Sequence, residues 1–496
     1  MQLGLFDVAI VIGYIFLIFG IAIKARRFMR KQSVAEGANT NPMENHYLAG
    51  KSITFWEALL SIIATEFSAL AFLTIPTYVY FENMSYLRFV IGAFISRSLI
   101  SIYFLPRIYG KGQTIFEALA RGVHDYPRLN KESILGRKTF AFIYIFGKLV
   151  GVSVKLLGGA LLVSEFFGVS LLMSILVIAS MTYFYIMLGG LKAVVRTDML
   201  QATVFVFGGI MAHFVVGKMS SFTWGELLVF GFQNGKFSFF ADSGILTFLY
   251  GIIAGIVYDA TTHGVDQDVT QKLFGAKDIE TARKALAWSG VGSLCVNILF
   301  LGLGVVLWAY YTKQGQTLPP AEKIFSNLIE NYFPTPIKGL MVASILAACM
   351  STLDSSINAM SSVFWNDLLS VKNSRVFKLF INLDNLIITL SIVIFTYMIS
   401  FVPDGIKFAH HFSYLSTAPL LAYFLCRMIL EKYIKIRFTT SLILLSFFTC
   451  FLGMALNHFS FGFNPQLTIL WGVGTTILFM WVYSKVTVLL MTPKES

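Results

Sequence analysis

The stretch Gly339–Leu369, GLMVASILAACMSTLDSSINAMSSVFWNDLL, has the length and apolar character of a membrane-spanning helix but carries many polar residues. Hydroxyls and a carboxylate at bilayer depth cost several kcal/mol unless they meet partners, water or an ion, so these side chains are expected to point into the protein. At a helical period of about 3.6 residues they form a polar stripe, defined by Ser351, Ser355, Asn358 and Ser362 with Thr352, Asp354 and Ser356 beside them.

The polar stripe is rich in oxygen and lacks a thiol or imidazole cluster. Oxygen ligands favour a hard cation such as sodium over a transition metal. Serine and threonine also let membrane helices pack closely, and that alternative stays open for each hydroxyl taken alone. The whole stripe, together with Asp354, favours a cation site.

The rest of the chain has the composition of a polytopic all-α membrane protein, since 56% of its 496 residues are apolar and only 13% are charged. We expect one transporter-sized domain covering residues 1–496. Apolar runs of membrane length predict about thirteen spans, numbered 0 to 12, near 4–24, 53–81, 85–108, 138–166, 169–188, 194–217, 243–264, 285–311, 337–369, 377–402, 404–430, 438–456 and 466–490.

The net charge of +12 is distributed over alternate loops, where lysine and arginine cluster after spans 0, 2, 6, 8 and 10. This is the pattern of positive-inside topology, which places the N-terminus outside and the C-terminus in the cytoplasm. The charge therefore predicts the lipid bilayer rather than nucleic acid as the partner.

Two further stretches carry unusual polar residues. Glu66 and Arg97 lie deep in spans 1 and 2, and Lys155 lies in span 3 as a candidate partner for Glu66 or for a substrate carboxylate. Small, polar and acidic residues interrupt span 6 at 258–268, which favours a discontinuous helix lining a cavity.

Four stretches together resemble the sodium/solute symporter family, which includes sodium-coupled sugar, sialic acid, proline, pantothenate and iodide transporters. In family order they are ATEFSALAFLTIP at 64–76, GGLKAVVRTDMLQ at 189–201, HGVDQDVTQKLFGAKD at 263–278 and ACMSTLDSSINAMSSVFWNDL at 348–368. The resemblance implies a LeuT-like fold of two inverted five-helix repeats, over 53–217 and 243–430, with extra spans over 438–490. Spans 1 and 6 would be broken at the bilayer midplane.

The resemblance also implies ion sites. The shared sodium site would use the backbone carbonyls of Ala64, Phe67 and Ala348 with the hydroxyls of Ser351 and Thr352. Some relatives hold a second sodium, and the matching positions here are Glu66, Asp198, Asp354 and Ser355. Carboxylates replace two hydroxyls of those relatives, so this group could bind a second cation, share a proton or be neutralised by Lys155.

A substrate pocket beside the break in span 1 is placed by the resemblance and by helix facing. Lys155 and Arg97 favour a carboxylate-bearing solute, whereas Asp259 and Glu66 favour a cationic or polyhydroxyl one, and the sequence leaves this open. The predicted pocket residues are Ser68, Ala71, Phe72, Tyr86, Val90, Lys155, Asp259 and Thr262.

These features predict a secondary active transporter, not an enzyme, which takes up a small polar organic solute with sodium by alternating access. We expect a multi-pass protein of the cell membrane that functions as a monomer, with Na+ as the co-transported ion. The alternatives are a proton-coupled carrier of the same fold and a solute-sensing, transporter-like membrane protein.

Overall fold

A computed structural model describes residues 3–35, 41–121, 131–219, 222–239, 244–315, 324–370, 374–402, 417–426, 440–461 and 470–482. Helices make up nearly all of these residues. In chain order they are α1 (Leu5–Ala35), α2 (Pro42–Tyr47), α3 (Phe55–Glu66), α4 (Ala69–Phe81), α5 (Leu87–Leu99), α6 (Leu105–Ile108), α7 (Ile115–Arg121), α8 (Lys131–Phe167), α9 (Leu171–Met219), α10 (Trp224–Gln233), α11 (Gly244–Asp259), α12 (Gln267–Phe274), α13 (Ile279–Lys313), α14 (Ile324–Tyr332), α15 (Ile337–Val363), α16 (Ser374–Ile399), α17 (Thr417–Cys426), α18 (Thr440–Phe461) and α19 (Leu470–Val482).

Within the described residues, seven helical segments are long and apolar enough to cross a membrane, and the bent pair α3 and α4 forms an eighth candidate span. These segments cover predicted spans 0 to 5 and 7 to 9, with spans 4 and 5 both inside α9. Much of the region predicted for spans 10 to 12 lies outside the described residues. The total of about thirteen spans therefore stays a prediction.

The α3–α4 pair is broken, as the family resemblance implies. A capping box at Thr54 begins α3, and the chain leaves the helical conformation at Phe67 (φ −89°, ψ 100°) and Ser68 (φ −84°, ψ 170°) before α4 begins. The two helices are bent by 63° relative to each other. Carbonyl groups in the last turn of α3 have no partner within their own helix, so they remain available to other donors or to a cation.

The predicted interruption of span 6 is also present. Helix α11 gives way to a π turn at Ala260–Gly264, and α12 begins after Asp266, whose side chain accepts a hydrogen bond from the Asp268 backbone N–H at 3.1 Å. A polar, non-continuous segment thus faces the break between α3 and α4 across the bundle.

Predicted spans 4 and 5 are separated inside α9 by Gly190, where φ is +54° and ψ is −147°. Only glycine adopts this conformation readily, and a Cβ at Gly190 would lie 2.6 Å from the backbone oxygen of His46. The Gly189–Gly190 pair therefore turns the chain as the sequence predicts.

Helix α15 is the centre of the bundle. In an apolar 18-residue stretch of Ile337–Leu369, 94% of the residues are buried. The helix packs against α1, α8 and α9 as well as the broken helix α3. The polar stripe consequently lies inside the protein, as the cost of exposing it to lipid predicts.

Candidate functional site

The first group of polar atoms lies where the C-terminal end of α3 meets α15. The Ser351 hydroxyl donates to the backbone oxygen of Ala64 at 2.9 Å and to that of Ala348 at 3.3 Å, and the Thr352 hydroxyl donates to Ala348 O at 3.1 Å. All four residues are buried. Four of the five residues predicted as sodium ligands are therefore in direct contact.

Phe67, the fifth predicted ligand, lies at the first non-helical position after α3 and is only 3% exposed. Its ring stacks on Phe205 with the centroids 5.7 Å apart, which anchors the end of α3 against α9. The group thus combines backbone carbonyls with two hydroxyls, a donor set that suits a hard cation. No cluster of three or more His, Cys, Asp or Glu side chains suited to a metal ion occurs in the described part of the chain.

A second group surrounds Asp198, which the sequence places in span 5. The ammonium of Lys272 lies 2.9 Å from Asp198 Oδ2, and both side chains are fully buried. Lys272 also donates to the backbone oxygen of Ser61 at 3.0 Å and to the hydroxyl of Thr65, while the Ser61 hydroxyl donates to Asp198 Oδ2. The sequence analysis did not select Lys272, because it lies on α12, 74 positions from its partner.

Asp354 and Ser355 of the polar stripe lie beside this second group. The Thr65 and Ser355 hydroxyls are 3.0 Å apart, and Ser355 donates to Asp354 Oδ1 at 3.2 Å. The phenol of Tyr185, which the sequence analysis also missed, donates to Asp354 Oδ2 at 2.5 Å. Asp198, Asp354 and Ser355 are thus brought together as expected.

Glu66, in contrast, contacts a different set of residues. Adjacent positions on a helix differ by about 100° in direction, so Thr65 and Glu66 face different neighbours. Glu66 lies 2.8 Å from the guanidinium of Arg97 and accepts a hydrogen bond from Ser293 at 2.7 Å. Arg97, not Lys155, is therefore the partner of Glu66.

Arg97 is completely buried and joins two carboxylates. Besides Glu66, it contacts Asp259 Oδ1 at 3.0 Å and donates to the backbone oxygen of Ser289 at 3.0 Å. Asp259 is also 2.8 Å from the imidazole of His263. A paired guanidinium of this kind neutralises carboxylates that would otherwise be isolated in an apolar bundle.

A cavity of about 310 Å³ lies between the two breaks. Predicted pocket residues from four spans contribute to its wall, whereas the side chain of Phe72 lies outside the described residues. Ser293 and Asn297 of α13 also line the cavity and were not predicted. The predicted residues that line it are Ser68, Ala71, Tyr86, Val90, Lys155, Asp259 and Thr262.

Two lysines of α8 reach this cavity and differ in their surroundings. Lys148 lies 2.7 Å from both Asp266 and Asp268, so its charge is balanced. Lys155 forms no hydrogen bond or ion pair with any described residue, although it lines the same cavity. The cavity therefore presents one ammonium group that is available to a solute.

A model of the Sodium:solute symporter family matches residues 46–436. The sodium/sialic acid symporter NanT of Aliivibrio fischeri is 26% identical over 355 residues, which cover 69% of this chain and 66% of that protein. The sodium/glucose cotransporter of Vibrio parahaemolyticus is 26% identical over 395 residues, covering 74% and 69%. Mouse sodium-coupled monocarboxylate transporter 1 is 25% identical over 345 residues, covering 67% and 55%. The chain thus spans about two thirds of the length of the first two and about half of the third.

Solved structures share the fold. A Na+-coupled sialic acid symporter, described in a substrate-bound outward-open state with a novel Na+ site, matches with a TM-score of 0.83 over 99% of each chain at 17% identity. The nucleobase-cation-symport-1 family transporter MHP1 matches with a TM-score of 0.51, covering 92% of this chain and 97% of that one at 12% identity.

Proposed function

This chain belongs to the sodium:solute symporter family, whose members couple solute transport to sodium, and on that premise we propose that it takes up a small polar solute bearing a carboxylate. The observation that carries the proposal is the adjacency of two features. An oxygen-lined junction of α3 and α15 lies next to a cavity that contains the unpaired ammonium of Lys155.

The sodium ligands in this proposal are the carbonyl oxygens of Ala64, Phe67 and Ala348 and the hydroxyls of Ser351 and Thr352. The hydrogen bonds among Ala64, Ala348, Ser351 and Thr352 support this assignment. A hydroxyl that donates to a carbonyl oxygen can rotate so that both oxygens face a cation. Sodium would then link α3 to α15 and stabilise the conformation in which they meet, in proportion to its preference for that conformation.

The proposed solute carries a carboxylate because the other charged groups of the cavity already contact a group of opposite charge. Arg97 forms ion pairs with Glu66 and Asp259, and Lys148 forms ion pairs with Asp266 and Asp268. These internal ion pairs reduce the attraction of the four carboxylates for a cationic solute. Lys155 alone among the described lysines of the cavity lacks an acidic partner. The names of the sialic acid and monocarboxylate relatives are consistent with this charge preference.

Transport would proceed by alternating access in a protein of about thirteen spans, with two inverted repeats, the N-terminus outside and the C-terminus in the cytoplasm. Sodium and solute would enter together from outside and leave into a cytoplasm low in sodium. We place this activity in the cell membrane and assign it to a monomer that acts without nucleic acid.

The experiment is uptake into proteoliposomes under an inward sodium gradient, with sialic acid, lactate and glucose as labelled probes. We expect uptake of a carboxylate probe that stops when potassium replaces sodium. Lys155→Met should raise the half-saturating carboxylate concentration at least tenfold, while Lys155→Arg should retain most of the affinity.

The control is Lys218→Met, because Lys218 lies at the end of α9 over the ring of Phe214 and not at the cavity. Uptake of glucose but neither acid, or equal uptake by wild type and Lys155→Met, would contradict the assigned solute class. Carboxylate uptake that ignores sodium but follows a proton gradient would contradict the sodium coupling.

A further inference from the structure

The ammonium of Lys272 is placed like a bound ion. It is completely buried, and its three N–H groups have three oxygen acceptors, which are Asp198 Oδ2 at 2.9 Å, Ser61 O at 3.0 Å and the Thr65 hydroxyl. These acceptors come from α3 and α9, whereas Lys272 itself belongs to α12. A lysine ammonium has three donors, so this environment satisfies it fully.

The same oxygens are those that a second cation would need. A carboxylate, a hydroxyl and a backbone carbonyl form a hard-cation donor set, and the Ser355 hydroxyl is 3.0 Å from that of Thr65. We propose that Lys272 is a tethered cation that takes the place of a second sodium, so that this carrier binds one sodium per transport cycle. The inference rests on the proposed function, because it concerns the ion stoichiometry of the same symport.

Charge balance supports the substitution. Asp198 supplies one negative charge and Lys272 one positive charge in direct contact, with no other cationic side chain paired to Asp198 in the described ranges. A sodium ion bound to the same oxygens would lie at contact distance from the ammonium, where like charges repel strongly in a buried site.

The oxygens of the neighbouring carboxylate, Asp354, already have hydrogen-bond donors. Both oxygens of Asp354 accept hydrogen bonds, one from the phenol of Tyr185 at 2.5 Å and the other from the Ser355 hydroxyl at 3.2 Å. The Ser355 hydroxyl therefore contacts both Asp354 and the Thr65 hydroxyl. Asp198 Oδ2 and both oxygens of Asp354 therefore have donors, whereas Asp198 Oδ1 is buried without a hydrogen-bond partner among the residues that the structure describes.

The position of Lys272 also differs from that of an ordinary surface lysine at a helix end. It lies near the C-terminal end of α12, but its side chain reaches inward to α3 instead of capping its own helix. The ammonium therefore links three helices, as a bound cation would, but it cannot dissociate during the cycle.

The test counts sodium ions on the purified full-length chain in lipid nanodiscs, by equilibrium dialysis against radioactive sodium. We expect one saturable sodium per wild-type chain and two for Lys272→Met, because removal of the ammonium frees Asp198, Thr65 and Ser61. Lys236→Met is the matched control and should still bind one. Lys236 is also buried on three oxygens, the backbone carbonyls of Val79, Tyr80 and Glu82 at 2.7–3.2 Å, but it contacts no side-chain carboxylate.

The double variant Lys272→Met/Asp198→Asn removes both charges, so it covers the case in which Lys272→Met alone fails to fold. It should bind one sodium with an affinity within about threefold of the wild type. Two sodium ions on the wild type would overturn this inference but leave the proposed function intact, whereas none would overturn both. A folded Lys272→Met that binds one sodium, or a folded double variant that binds none, would also overturn the inference.

Discussion

Replacement of Thr352 by valine tests the sodium site directly, because it removes one proposed ligand oxygen while nearly preserving the side-chain volume. If sodium at 100 times its Kd stabilises the wild type, linkage gives about 2.7 kcal/mol. Loss of one oxygen ligand to a charged group costs about 2 kcal/mol, which weakens binding about 30-fold. The same sodium concentration would then stabilise the variant by only about 0.9 kcal/mol.

The assay is thermal unfolding of the purified protein as sodium replaces choline at constant ionic strength. We expect the half-maximal sodium concentration to rise about 30-fold for Thr352→Val. Ser344→Ala is the control, since Ser344 is a buried serine of α15 that donates to Val204 O and Leu340 O, away from the site. An unchanged midpoint for Thr352→Val, or an equal shift for both variants, would refute the assignment of Thr352 as a ligand.

Three further perturbations follow from particular contacts. Arg97→Met should destabilise the protein by about 3–5 kcal/mol, because Glu66 and Asp259 would be left buried without their cation, and addition of Glu66→Gln should restore part of this in thermal unfolding. Gly190→Ala should lower the free energy of unfolding by about 1–3 kcal/mol and reduce the folded yield, because φ is positive at this position and the new Cβ would collide with the His46 backbone oxygen. Gly20→Ala is the control and should have neither effect, since no atom of the described residues lies within 4 Å of the position of its Cβ. Burial lowers the pKa of His46 from 6.5 to about 4, so protonation of this side chain at low pH destabilises the fold. Its contribution to the free energy of unfolding, at most about 3 kcal/mol, should be present above pH 6.5 and fall as the pH drops towards 4. His46→Asn should flatten the dependence of stability on pH in this range, and an unchanged dependence would contradict the assignment.

Most of the described helices and the inward-facing polar stripe were predictable because they depend on local sequence. The polar stripe is visible in a short stretch of sequence and places Ser351 and Thr352 inside the protein. The break within ATEFSALAFLTIP and the carbonyl ligands were implied by the family resemblance. Membrane-length apolar runs likewise locate most of the described helices, because lipid requires each spanning segment to satisfy its own backbone.

The contacts of Glu66 and Lys272 were not predicted, for a different reason. Motif alignment assigned Glu66 to the second group because of its position in the chain, but the rotation of α3 at its last turn directs Glu66 towards Arg97. Lys272 lies near the end of a short helix, where a lysine is usually solvated, and it is buried because α12 packs against α3, α13 and α15. Such pairings depend on tertiary contacts between distant segments, which periodicity does not encode.

The arrangement suggests how ion and solute binding are coupled, because three consecutive residues of α3 serve three different partners. The Ala64 carbonyl faces the Ser351 hydroxyl of α15, Thr65 contacts Lys272 of α12, and Glu66 faces Arg97 at the cavity. The chain leaves the helical conformation directly afterwards, so this turn is supported by these contacts more than by continued helix. A cation that draws Ala64 towards α15 must therefore also reposition Glu66 against Arg97, and so the cavity wall. The ammonium of Lys272 would meanwhile stay bound to Thr65 throughout the transport cycle. Sodium would then be the only cation at this turn that binds and dissociates.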